Sequence, residues 1–570
     1  MKDHSKLPLL RRISQVAFLA AFLFLLLRTE FTGSFKGATG DTRLGWPVSI
    51  FLEADPLAAL ATALSTGTLY RGLLWSLVIL VPTFLLGRFF CGWICPLGTL
   101  HHFFGHLRSE KKRGKALLDS NRYKPWHTAK YYVLGAVLLA ALFGSLVAGL
   151  VDPIPLTVRS LSLSILPGLN YATGSLVGWL YDSRWAPVRF GADVLQFLLQ
   201  GTLASFEQPH FRQGILIGLV FAGLLALNLR ITRFWCRAAC PLGALLGVAS
   251  RWSLLHLHKD GSRCDQCQRC LLRCQGGDDP VPGAPWRKSE CHLCFNCVGE
   301  CPTEGLAFRV GRPPAPADMR EAPQLQRRKL ITSAAAGAAL VPLMRSTTGL
   351  AVEADSTLIR PPGALDERNF LERCIRCGAC MKVCPNNALH PTFLEGGLEA
   401  LWTPVVVPRV GYCEPNCVLC STVCPTGAIW ELTLAEKLGT AAGTPRPGPG
   451  LAEAGATGNQ AAPGPVKIGT AFYDQGRCLP WSMATDCIVC EEWCPTSPKA
   501  ILLEEVEVVD ADKNPKTVRR PRVDVKRCIG CGACEYACPV RDRPAVYVTS
   551  VGETRSKTNQ FILPAAPRRG

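Results

Sequence analysis

The sequence predicts two kinds of structure in one chain, an α-helical membrane bundle in the first part and small α+β modules after it. Three observations carry this prediction. Long apolar runs lie mostly within the first 230 residues, positive charge is concentrated in the same part, and cysteines recur in groups of four behind it. A chain of 570 residues allows about three or four domains.

Four apolar segments are candidate membrane spans, at residues 13–27, 73–87, 131–151 and 214–229. The third has 21 residues without a charged side chain, which is enough to cross a hydrocarbon layer of about 30 Å. The other three are closer to the lower limit of length. We therefore predict a four-span membrane domain over residues 1–250.

The charge pattern orients this domain. From residue 346 onward the sequence holds 24 Lys or Arg and 24 Asp or Glu, so the whole net charge of +18 precedes that residue. Basic residues precede the first span, and eight more lie between residues 100 and 130. Because basic loops stay on the cytoplasmic side, we place both ends of the bundle inside and expect no nucleic-acid partner.

An internal repeat marks the inner ends of the second and fourth spans. Residues 88–98, RFFCGWICPLG, match residues 233–243, RFWCRAACPLG, at seven of eleven positions. Such a duplicated hairpin implies a pseudo-twofold axis along the membrane normal. Three interpretations of its four cysteines stay open: a redox-active or metal-binding group of thiols, two reversible disulfides, or small buried side chains. These cysteines are Cys91, Cys95, Cys236 and Cys240.

Six further groups of four cysteines, here called quartets, use the remaining 24 of the 28 cysteines. Three cysteines two residues apart, with a fourth before proline, are the pattern that binds a cubane 4Fe-4S cluster. A disulfide framework suits short secreted chains, and structural zinc seldom uses a third cysteine at this spacing. We therefore predict six 4Fe-4S clusters in α+β ferredoxin-like modules. The ligands are Cys264, Cys267, Cys270 and Cys274; Cys291, Cys294, Cys297 and Cys301; Cys374, Cys377, Cys380 and Cys384; Cys413, Cys417, Cys420 and Cys424; Cys478, Cys487, Cys490 and Cys494; and Cys528, Cys531, Cys534 and Cys538.

The first two quartets predict a cytoplasmic two-cluster ferredoxin over residues 251–312. In such modules the fourth cysteine of each quartet binds the other cluster. One cluster should therefore take Cys301 with the first three cysteines of the first quartet, and the other should take Cys274 with those of the second. The first quartet ends in Cys274-Gln275 where proline is usual.

Residues 313–350 predict a linker and an export or anchor segment. Arg327 and Arg328 precede an Ala-rich apolar run that ends near Met344. This pair resembles a twin-arginine export signal, and the alternative is a basic patch beside a buried helix. Fifteen helical residues reach only about 22 Å, so the run is more typical of a signal region than of a full span.

Residues 351–551 predict a four-cluster domain, followed by a tail at 552–570. A Gly/Pro/Ala-rich stretch at 439–465 divides the domain and predicts a flexible insertion. The third and sixth quartets are regular, whereas the fourth and fifth have longer first loops. Pairing like with like favours a nested arrangement, third with sixth and fourth with fifth, and sequential pairing is the alternative.

Two resemblances cover nearly the whole chain. Residues 1–312 resemble the NapH/MauN type of membrane ferredoxin in the CGWICPLG and CRAACPLG repeats, Asp152-Pro153 and the double ferredoxin. Residues 326–551 resemble the NapG/MauM type in the paired arginines, Arg360-Pro-Pro-Gly-Ala-Leu365 and Cys478-Leu-Pro-Trp481. The resemblance implies a quinol dehydrogenase that passes electrons from membrane quinol to a periplasmic redox enzyme such as nitrate reductase. Fusion of the two types implies a fixed one-to-one complex.

We accordingly expect an electron-transfer protein of a bacterial inner membrane, with its last domain periplasmic. Its expected partners are lipid, the quinol pool and a periplasmic acceptor such as a multihaem cytochrome or a reductase. No catalytic acid, base or nucleophile stands out. The first alternative is an assembly or regulatory factor for a periplasmic metalloenzyme, and the second is a ferredoxin array that the bundle merely anchors.

Other cofactors have no matching motif. The sequence contains no Cys-x-x-Cys-His, so haem c is not expected, and no glycine-rich fingerprint after a strand, so NAD is not expected. His101, His102, His106 and His127 follow the first repeat. They either take up quinol protons or form a solvated cytoplasmic patch.

Overall fold

The computed structural model describes residues 6–31, 33, 35, 40–109, 114–199, 209–311, 319–320, 325–354, 357–440, 464–509, 514–556 and 558–561. The helices are α1 (Lys6–Arg28), α2 (Ser49–Glu53), α3 (Pro56–Thr66), α4 (Leu77–Leu86), α5 (Phe89–Trp93), α6 (Pro96–Ser109), α7 (Lys115–Asn121), α8 (Ala129–Leu142), α9 (Ala148–Val151), α10 (Pro153–Ser160), α11 (Leu166–Tyr181), α12 (Ala186–Leu199), α13 (Gly214–Leu227), α14 (Pro241–Ala249), α15 (Arg269–Leu272), α16 (Asn296–Gly299), α17 (Arg327–Ala354), α18 (Glu367–Leu371), α19 (Ala379–Lys382), α20 (Leu419–Thr422), α21 (Leu434–Leu438), α22 (Leu479–Ser482), α23 (Val489–Glu492) and α24 (Ala533–Ala537). The strands are β1 (Leu255–Lys259), β2 (Trp286–Arg287), β3 (Leu306–Val310), β4 (Met319–Arg320), β5 (Leu389–Pro391), β6 (Pro404–Val406), β7 (Thr470–Tyr473), β8 (Ile501–Val509), β9 (Pro515–Val523) and β10 (Val546–Thr549).

Apolar helices coincide with three of the four predicted spans. The segment at 13–27 lies in α1, the one at 73–87 is a 3₁₀ turn (Arg71–Ser76) that continues into α4, and the one at 214–229 is α13. Among the described residues, α1 is the one helix that is both long and apolar enough to cross a membrane by those criteria. The structure therefore does not confirm four full-length spans.

The predicted span at 131–151 is two helices. α8 ends at Leu142 because Gly144 takes a φ of +79°, which an L side chain rarely adopts. The amide of Gly144 donates to the carbonyl of Ala141 at 2.7 Å, and that of Ser145 donates to Ala140 at 2.9 Å. This pair of hydrogen bonds is a Schellman motif, so the chain turns before α9. The hydropathy of the apolar run gave no indication that a helix ends within it.

The two halves of the helical domain repeat a second feature besides the cysteines. α3 and α10 both begin at the proline of an Asp-Pro pair. Asp55 accepts a hydrogen bond from Leu57 N at 2.9 Å, and Asp152 accepts one from Ile154 N at 3.4 Å. Both aspartates are buried, and burial together with the nearby charge of Asp55 raises the pKa of Asp152. The two caps thus meet in the interior of the domain.

α17 is longer than the sequence predicted. It runs for 28 residues, about 42 Å, and continues well beyond Met344. It packs along α8, and a side chain at Gly337 would clash with the backbone of Ala136. Gln326 N donates to Tyr132 near the start of α8, and Arg345 lies beside Gly144 past its end. The expectation of a helix too short to span is therefore wrong for its length. Arg327 and Arg328 are exposed at its first turn.

Ferredoxin modules lie at both ends of α8. The inner module, residues 255–310, is closed by the antiparallel pair β1–β3. The outer half contains two modules, with β5–β6 in the first and β7–β10 in the second. β8 and β9 form an antiparallel pair with nine residue pairs. Most of the predicted insertion, residues 441–463, lies outside the described residues.

The start of the predicted tail packs onto the outer half. The Arg555 side chain is 10% exposed and forms ion pairs with Glu553 (2.7 Å) and Glu367 (3.0 Å), and Phe561 contacts Phe472. Residues 552–561 are therefore part of the domain, apart from residue 557, which with 562–570 lies outside the described residues. A single hydrophobic core extends from the apolar helices through both outer modules.

Candidate iron-sulfur centres

Four of the six quartets share one loop conformation. In each, the residue before the second cysteine and the residue after it have φ between +48° and +85°. Left-handed backbone at both positions turns the loop tightly, so its three cysteines face one side. The pairs are Gln266 and Gln268, Leu293 and Phe295, Arg376 and Gly378, and Gly530 and Gly532.

The inner module pairs its cysteines as the crossover rule predicts. Burial, together with the charges of Cys301, Cys267 and Cys264, raises the pKa of Cys270 to about 11. Burial likewise raises the pKa of Cys274, and Cys294 adds to this. We call the two sets site 1 (Cys264, Cys267, Cys270, Cys301) and site 2 (Cys274, Cys291, Cys294, Cys297). Cys267 is exposed, so site 1 is the more solvent-accessible of the two.

The outer half pairs its quartets sequentially, so the nested arrangement is wrong. A cavity of about 20 Å³ is lined by the first three cysteines of the third quartet together with Cys424. A second cavity, also of about 20 Å³, is lined by those of the sixth quartet together with Cys494. The other two sets of four cysteines are identified by proximity. In each set, burial raises the pKa of a thiol, and the neighbouring cysteines of the same set raise it as well. The four outer sites are site 3 (Cys374, Cys377, Cys380, Cys424), site 4 (Cys384, Cys413, Cys417, Cys420), site 5 (Cys494, Cys528, Cys531, Cys534) and site 6 (Cys478, Cys487, Cys490, Cys538).

The four outer sites follow one another in a line. Cys420 of site 4 is close enough to Cys380 of site 3 to raise its pKa. Cys413 of site 4 donates its amide to the carbonyl of Cys531 of site 5 at 2.8 Å. Cys490 of site 6 is within electrostatic reach of Cys534 of site 5. The order along the outer half is therefore 3, 4, 5, 6.

The residues at these sites fit cubane clusters. Each site offers four thiols, the two cavities are enclosed by four cysteines each, and the loops have the conformation described above. Desolvation makes free thiolates costly there, and ligation to iron compensates that cost because a cluster ligand is a thiolate. The clusters would supply one-electron redox chemistry. The 24 cysteines predicted as ligands lie in six groups of four, and the outer quartets pair sequentially where the sequence favoured a nested order.

The four bundle cysteines converge at the inner end of the helical domain, and their two repeats have the same backbone geometry. Cys95 N donates to Phe90 O at 3.0 Å, and Cys240 N donates to Trp235 O at 2.9 Å. The thiol of Cys95 accepts from Gly98 N at 3.4 Å, and that of Cys240 accepts from Gly243 N at 3.1 Å. Each thiol thus caps a helix, α6 or α14, whose positive end favours a thiolate.

All four bundle thiols are buried and within electrostatic reach of one another. Burial raises the pKa of Cys240, and Cys236, Cys91 and Cys95 raise it further. Among the described residues no group of three or more His, Cys, Asp or Glu side chains is placed to hold a single metal ion. Neither the bundle thiols nor the six sites are therefore arranged around a single ion. This is compatible with cubane clusters, because the sulfurs around a cubane stand farther apart than the ligands of one ion.

Buried cations surround the bundle thiols and site 2. Arg88 donates to the thiol of Cys91 at 3.8 Å and to Ser289 O at 2.8 Å. These cations outnumber the buried carboxylates beside them, Glu290 and Asp278, and an unbalanced buried charge is costly. Anionic thiolate clusters at this end of the molecule would balance it. The cations are Arg11, Arg88, Lys130, Arg233 and Arg237, each at most 1% exposed.

The histidines near the first repeat are not a solvated patch. His101 and His127 are buried. Burial lowers the pKa of both to about 3, helped by Arg233 beside His101 and by Arg237 beside His127. Neither therefore takes up protons near neutral pH. His102 is half-buried, and the side chain of His106 lies outside the described residues.

Family profiles match the bundle repeat and the third and sixth quartets. Three profiles, each described as "4Fe-4S binding domain", match the chain: one at residues 68–115 and again at 213–259, one at 370–390 and one at 519–540. The first covers both copies of the bundle repeat. Fold, thiol sets and profiles together define an iron-sulfur electron-transfer protein of the polyferredoxin class.

Comparison with curated proteins names the family. The chain is 31% identical over 231 residues to the "Ferredoxin-type protein NapG" of Escherichia coli, which is 40% of this chain and 86% of that protein. It is 33% identical over 210 residues to the "Methylamine utilization ferredoxin-type protein MauM" of Methylorubrum extorquens, or 36% and 76%. The chain belongs to the NapG/MauM family of ferredoxin-type proteins.

A further relative covers more of the chain. The "Putative electron transport protein YccM" of Escherichia coli is 25% identical over 313 residues, which is 54% of this chain and 76% of that protein. No solved structure matches.

Proposed function

We propose that this protein is a membrane-bound quinol dehydrogenase that combines a NapH/MauN-type membrane part with a NapG/MauM-type ferredoxin part. It takes electrons from membrane quinol and delivers them through 4Fe-4S clusters to a periplasmic acceptor, a reductase of the nitrate-reductase type or a multihaem cytochrome. The observation that carries the proposal is the line of sites 3 to 6, which begins against the apolar helices and leads away from them.

The junction between the apolar helices and the outer half supports a direct hand-over. Arg159 donates to Arg376 O at 2.8 Å, and Arg376 donates back to Leu146 O. Lys382 forms an ion pair with Glu30 at 2.8 Å. These contacts fix the loop of site 3, which contains Arg376, against the end of the helical domain.

The arrangement of the two ferredoxin parts supports opposite membrane sides. The inner module contacts the start of α8 through Glu290, which accepts from Tyr131 at 2.8 Å, whereas the outer half contacts Leu146 past its end. We assign the inner module to the cytoplasm, because the basic loops lie at that end, and the outer half to the periplasm of a bacterial inner membrane. Arg327 and Arg328 would serve as the twin-arginine signal, with α17 retained as the connecting anchor.

We assign the bundle thiols a redox or metal-binding role beside the inner clusters. Their helix-capping geometry and the excess of buried cations support thiolates at this position. Replacing Cys91, Cys95, Cys236 and Cys240 by Ser tests the role. Loss of an absorption or iron component that the six sites do not supply would support it, and unchanged iron content with unchanged electron delivery would remove these cysteines from the path.

The same thiols favour a second candidate function, an assembly or regulatory factor for a periplasmic metalloenzyme. Four buried thiols on a pseudo-twofold axis suit metal transfer or disulfide exchange as well as electron transfer. In that case a deletion strain would contain a metal-starved partner enzyme, and quinol would not reduce the clusters.

Anaerobic electron paramagnetic resonance on membranes that contain the protein tests the main proposal. Addition of a reduced quinol should produce reduced-cluster signals that a quinol-site inhibitor abolishes. Signals with dithionite but none with quinol would overturn the proposal in favour of the assembly factor.

A further inference from the structure

An open cavity of about 1230 Å³ lies where the apolar helices meet the outer half. Its walls come from both parts of the molecule. α2, the α3–α4 connection and α4 supply one side, and α18, α20 and the chain at Trp430 supply the other. Cys424, a ligand of site 3, is part of the wall. The cavity therefore reaches the first centre of the outer line.

The mouth of the cavity is apolar and faces away from the protein. Leu74, Trp75 and Val78 line it and are 49%, 63% and 58% exposed. Exposed apolar side chains on an apolar helix are typical of a surface in contact with lipid. A molecule dissolved in the bilayer would enter from this side.

The inner end of the cavity is polar. Glu53, Tyr70 and Arg373 line it. Arg373 is buried, donates to Thr68 at 3.3 Å and directly precedes Cys374 of site 3. Burial raises the pKa of Glu53, which lies at the end of α2 and outside the apolar spans. Tyr70 packs edge-on against Trp430, with ring centroids 6.0 Å apart. A ring with hydroxyl or carbonyl oxygens finds donors, an acceptor and aromatic walls here.

We propose that this cavity binds the head group of the quinol, with its tail leaving past Leu74 and Val78 toward the lipid. The inference rests on the proposed function, whose donor site it locates. Oxidation of one quinol to quinone releases two electrons and two protons. Clusters held at the outer sites, beginning with site 3, would take the two electrons one at a time, and Glu53 accepts the two protons in turn and passes each to the solvent on the same face. Arg373 and Tyr70 position the head-group oxygens.

This location removes the need for electrons to cross the membrane part. Sites 1 and 2 and the bundle thiols lie at the start of α8, whereas sites 3 to 6 lie past its end. α8 alone is 14 residues, about 21 Å, long. A quinol oxidised in the cavity serves the outer line directly, and its protons leave on the outer face.

Binding is tested on the full-length protein in detergent, by calorimetric titration with decylubiquinone and with a naphthoquinone of equal tail length. The double variant Leu74→Trp/Val78→Trp fills the mouth. The matched control Val81→Trp/Leu85→Trp changes two α4 residues that are 52% and 51% exposed and do not line the cavity. We expect the mouth variant to weaken the preferred quinone at least about tenfold, or 1.4 kcal/mol, and the control to bind as wild type.

A second variant, Glu53→Gln, keeps the shape of the site and removes the carboxylate. It should bind the quinone as wild type but slow quinol-dependent cluster reduction about 100-fold, because a positioned base typically contributes that much or more. Dithionite spectra confirm that each variant retains its clusters. Equal binding by mouth variant and wild type, with quinol still reducing the clusters, overturns this site and leaves the proposed function intact. Binding that the mouth variant abolishes, with no reduction of wild-type clusters by quinol, supports the cavity and overturns the proposed function.

Discussion

Gln275 ties the inner ferredoxin to the helical domain through its side chain and its backbone. Its side-chain oxygen accepts from Arg11 at 3.0 Å, and its carbonyl accepts from Arg237 at 2.8 Å. Proline, usual after the fourth cysteine of such a quartet, has no side-chain acceptor for Arg11. The departure from the ferredoxin pattern at this position therefore serves the contact between domains.

Residue-level chemistry also explains the Arg360-Pro-Pro-Gly-Ala-Leu365 motif. Arg360 is fully buried, pairs with Glu367 at 2.5 Å, donates to Thr403 at 2.9 Å and stacks over Phe370. Together with Arg555 it encloses the Glu367 carboxylate. The motif therefore supports the fold beside site 3 and contains no cluster ligand.

We predict that Glu367→Gln destabilises the outer half by about 3–5 kcal/mol, since it leaves buried guanidinium charge unpaired. Burial alone would raise the pKa of Glu367, but Arg360 and Arg555 outweigh it and lower the pKa to about 2. The carboxylate thus stabilises the fold above its unfolded pKa near 4.5, and this contribution is lost as pH falls toward 2. Thermal unfolding between pH 7 and 3 should show this acid-dependent loss in wild type and a smaller one in the variant. Equal unfolding temperatures at pH 7 would contradict the prediction.

Single cysteine variants test the sequential pairing. Cys424→Ser and Cys374→Ser should each lose the same paramagnetic signal and about four iron atoms per chain, because both residues belong to site 3. Cys384→Ser should lose a different signal, the one that Cys417→Ser also loses. The nested arrangement instead places Cys424 and Cys487 at the same site. If Cys424→Ser and Cys487→Ser lost the same signal, the sequential pairing would be wrong.

At the scale of elements, the sequence predicted the cluster loops but not how these loops pair in the fold. Ligand spacing identifies the cluster loops because iron fixes how far apart the sulfurs stand. Pairing depends on which loops fold together, and similar loop lengths carry no information about that. The end of α8 depended on the left-handed Gly144, and the continuation of α17 depended on packing along α8, so apolar composition alone placed neither boundary.

The close contact of α8 and α17 gives a prediction for these elements. Gly337 is buried against the backbone of Ala136, so Gly337→Leu should force the helices apart and cost about 1–3 kcal/mol. Ala339→Leu, at an exposed position of the same helix, is the matched control. Thermal stability of the detergent-solubilised protein, followed by helix circular dichroism, should fall in the first variant only. A similar loss in both would show that the contact is not responsible.

At the scale of the whole molecule, the two groups of centres lie at opposite ends of the helical domain. Sites 1 and 2 contact the helical domain at one end through Glu290 and Gln275, and site 3 contacts it at the other through Arg376. Charge counting along the sequence predicted opposite membrane sides for the two groups, and that assignment stays a prediction. The docking of the outer half onto the helices left no sequence pattern, because it uses dispersed backbone acceptors such as Leu146 O.

Because the two groups of centres lie at opposite ends, we predict that damage to the inner group leaves reduction of the outer group unchanged. Cys267→Ser removes an exposed ligand of site 1 and should leave quinol-dependent reduction of sites 3 to 6 unchanged. The measurement is the rate at which outer-cluster signals appear after quinol addition, with dithionite reduction as the reference for cluster content. Loss of that reduction in Cys267→Ser would mean that electrons enter through the inner module.

α17 has a final consequence for how the two halves stay together. A continuous helix makes their association intramolecular, so each half meets the other at an effective concentration in the millimolar range or above, whatever the amount of protein in the cell. Polar contacts such as Lys382 with Glu30 or Trp402 with Gln213 (3.2 Å) contribute little on their own beside the hydrophobic core that continues from the helices into the outer half. In one chain these contacts need only fix the orientation of the outer half, because α17 already prevents the outer half from dissociating.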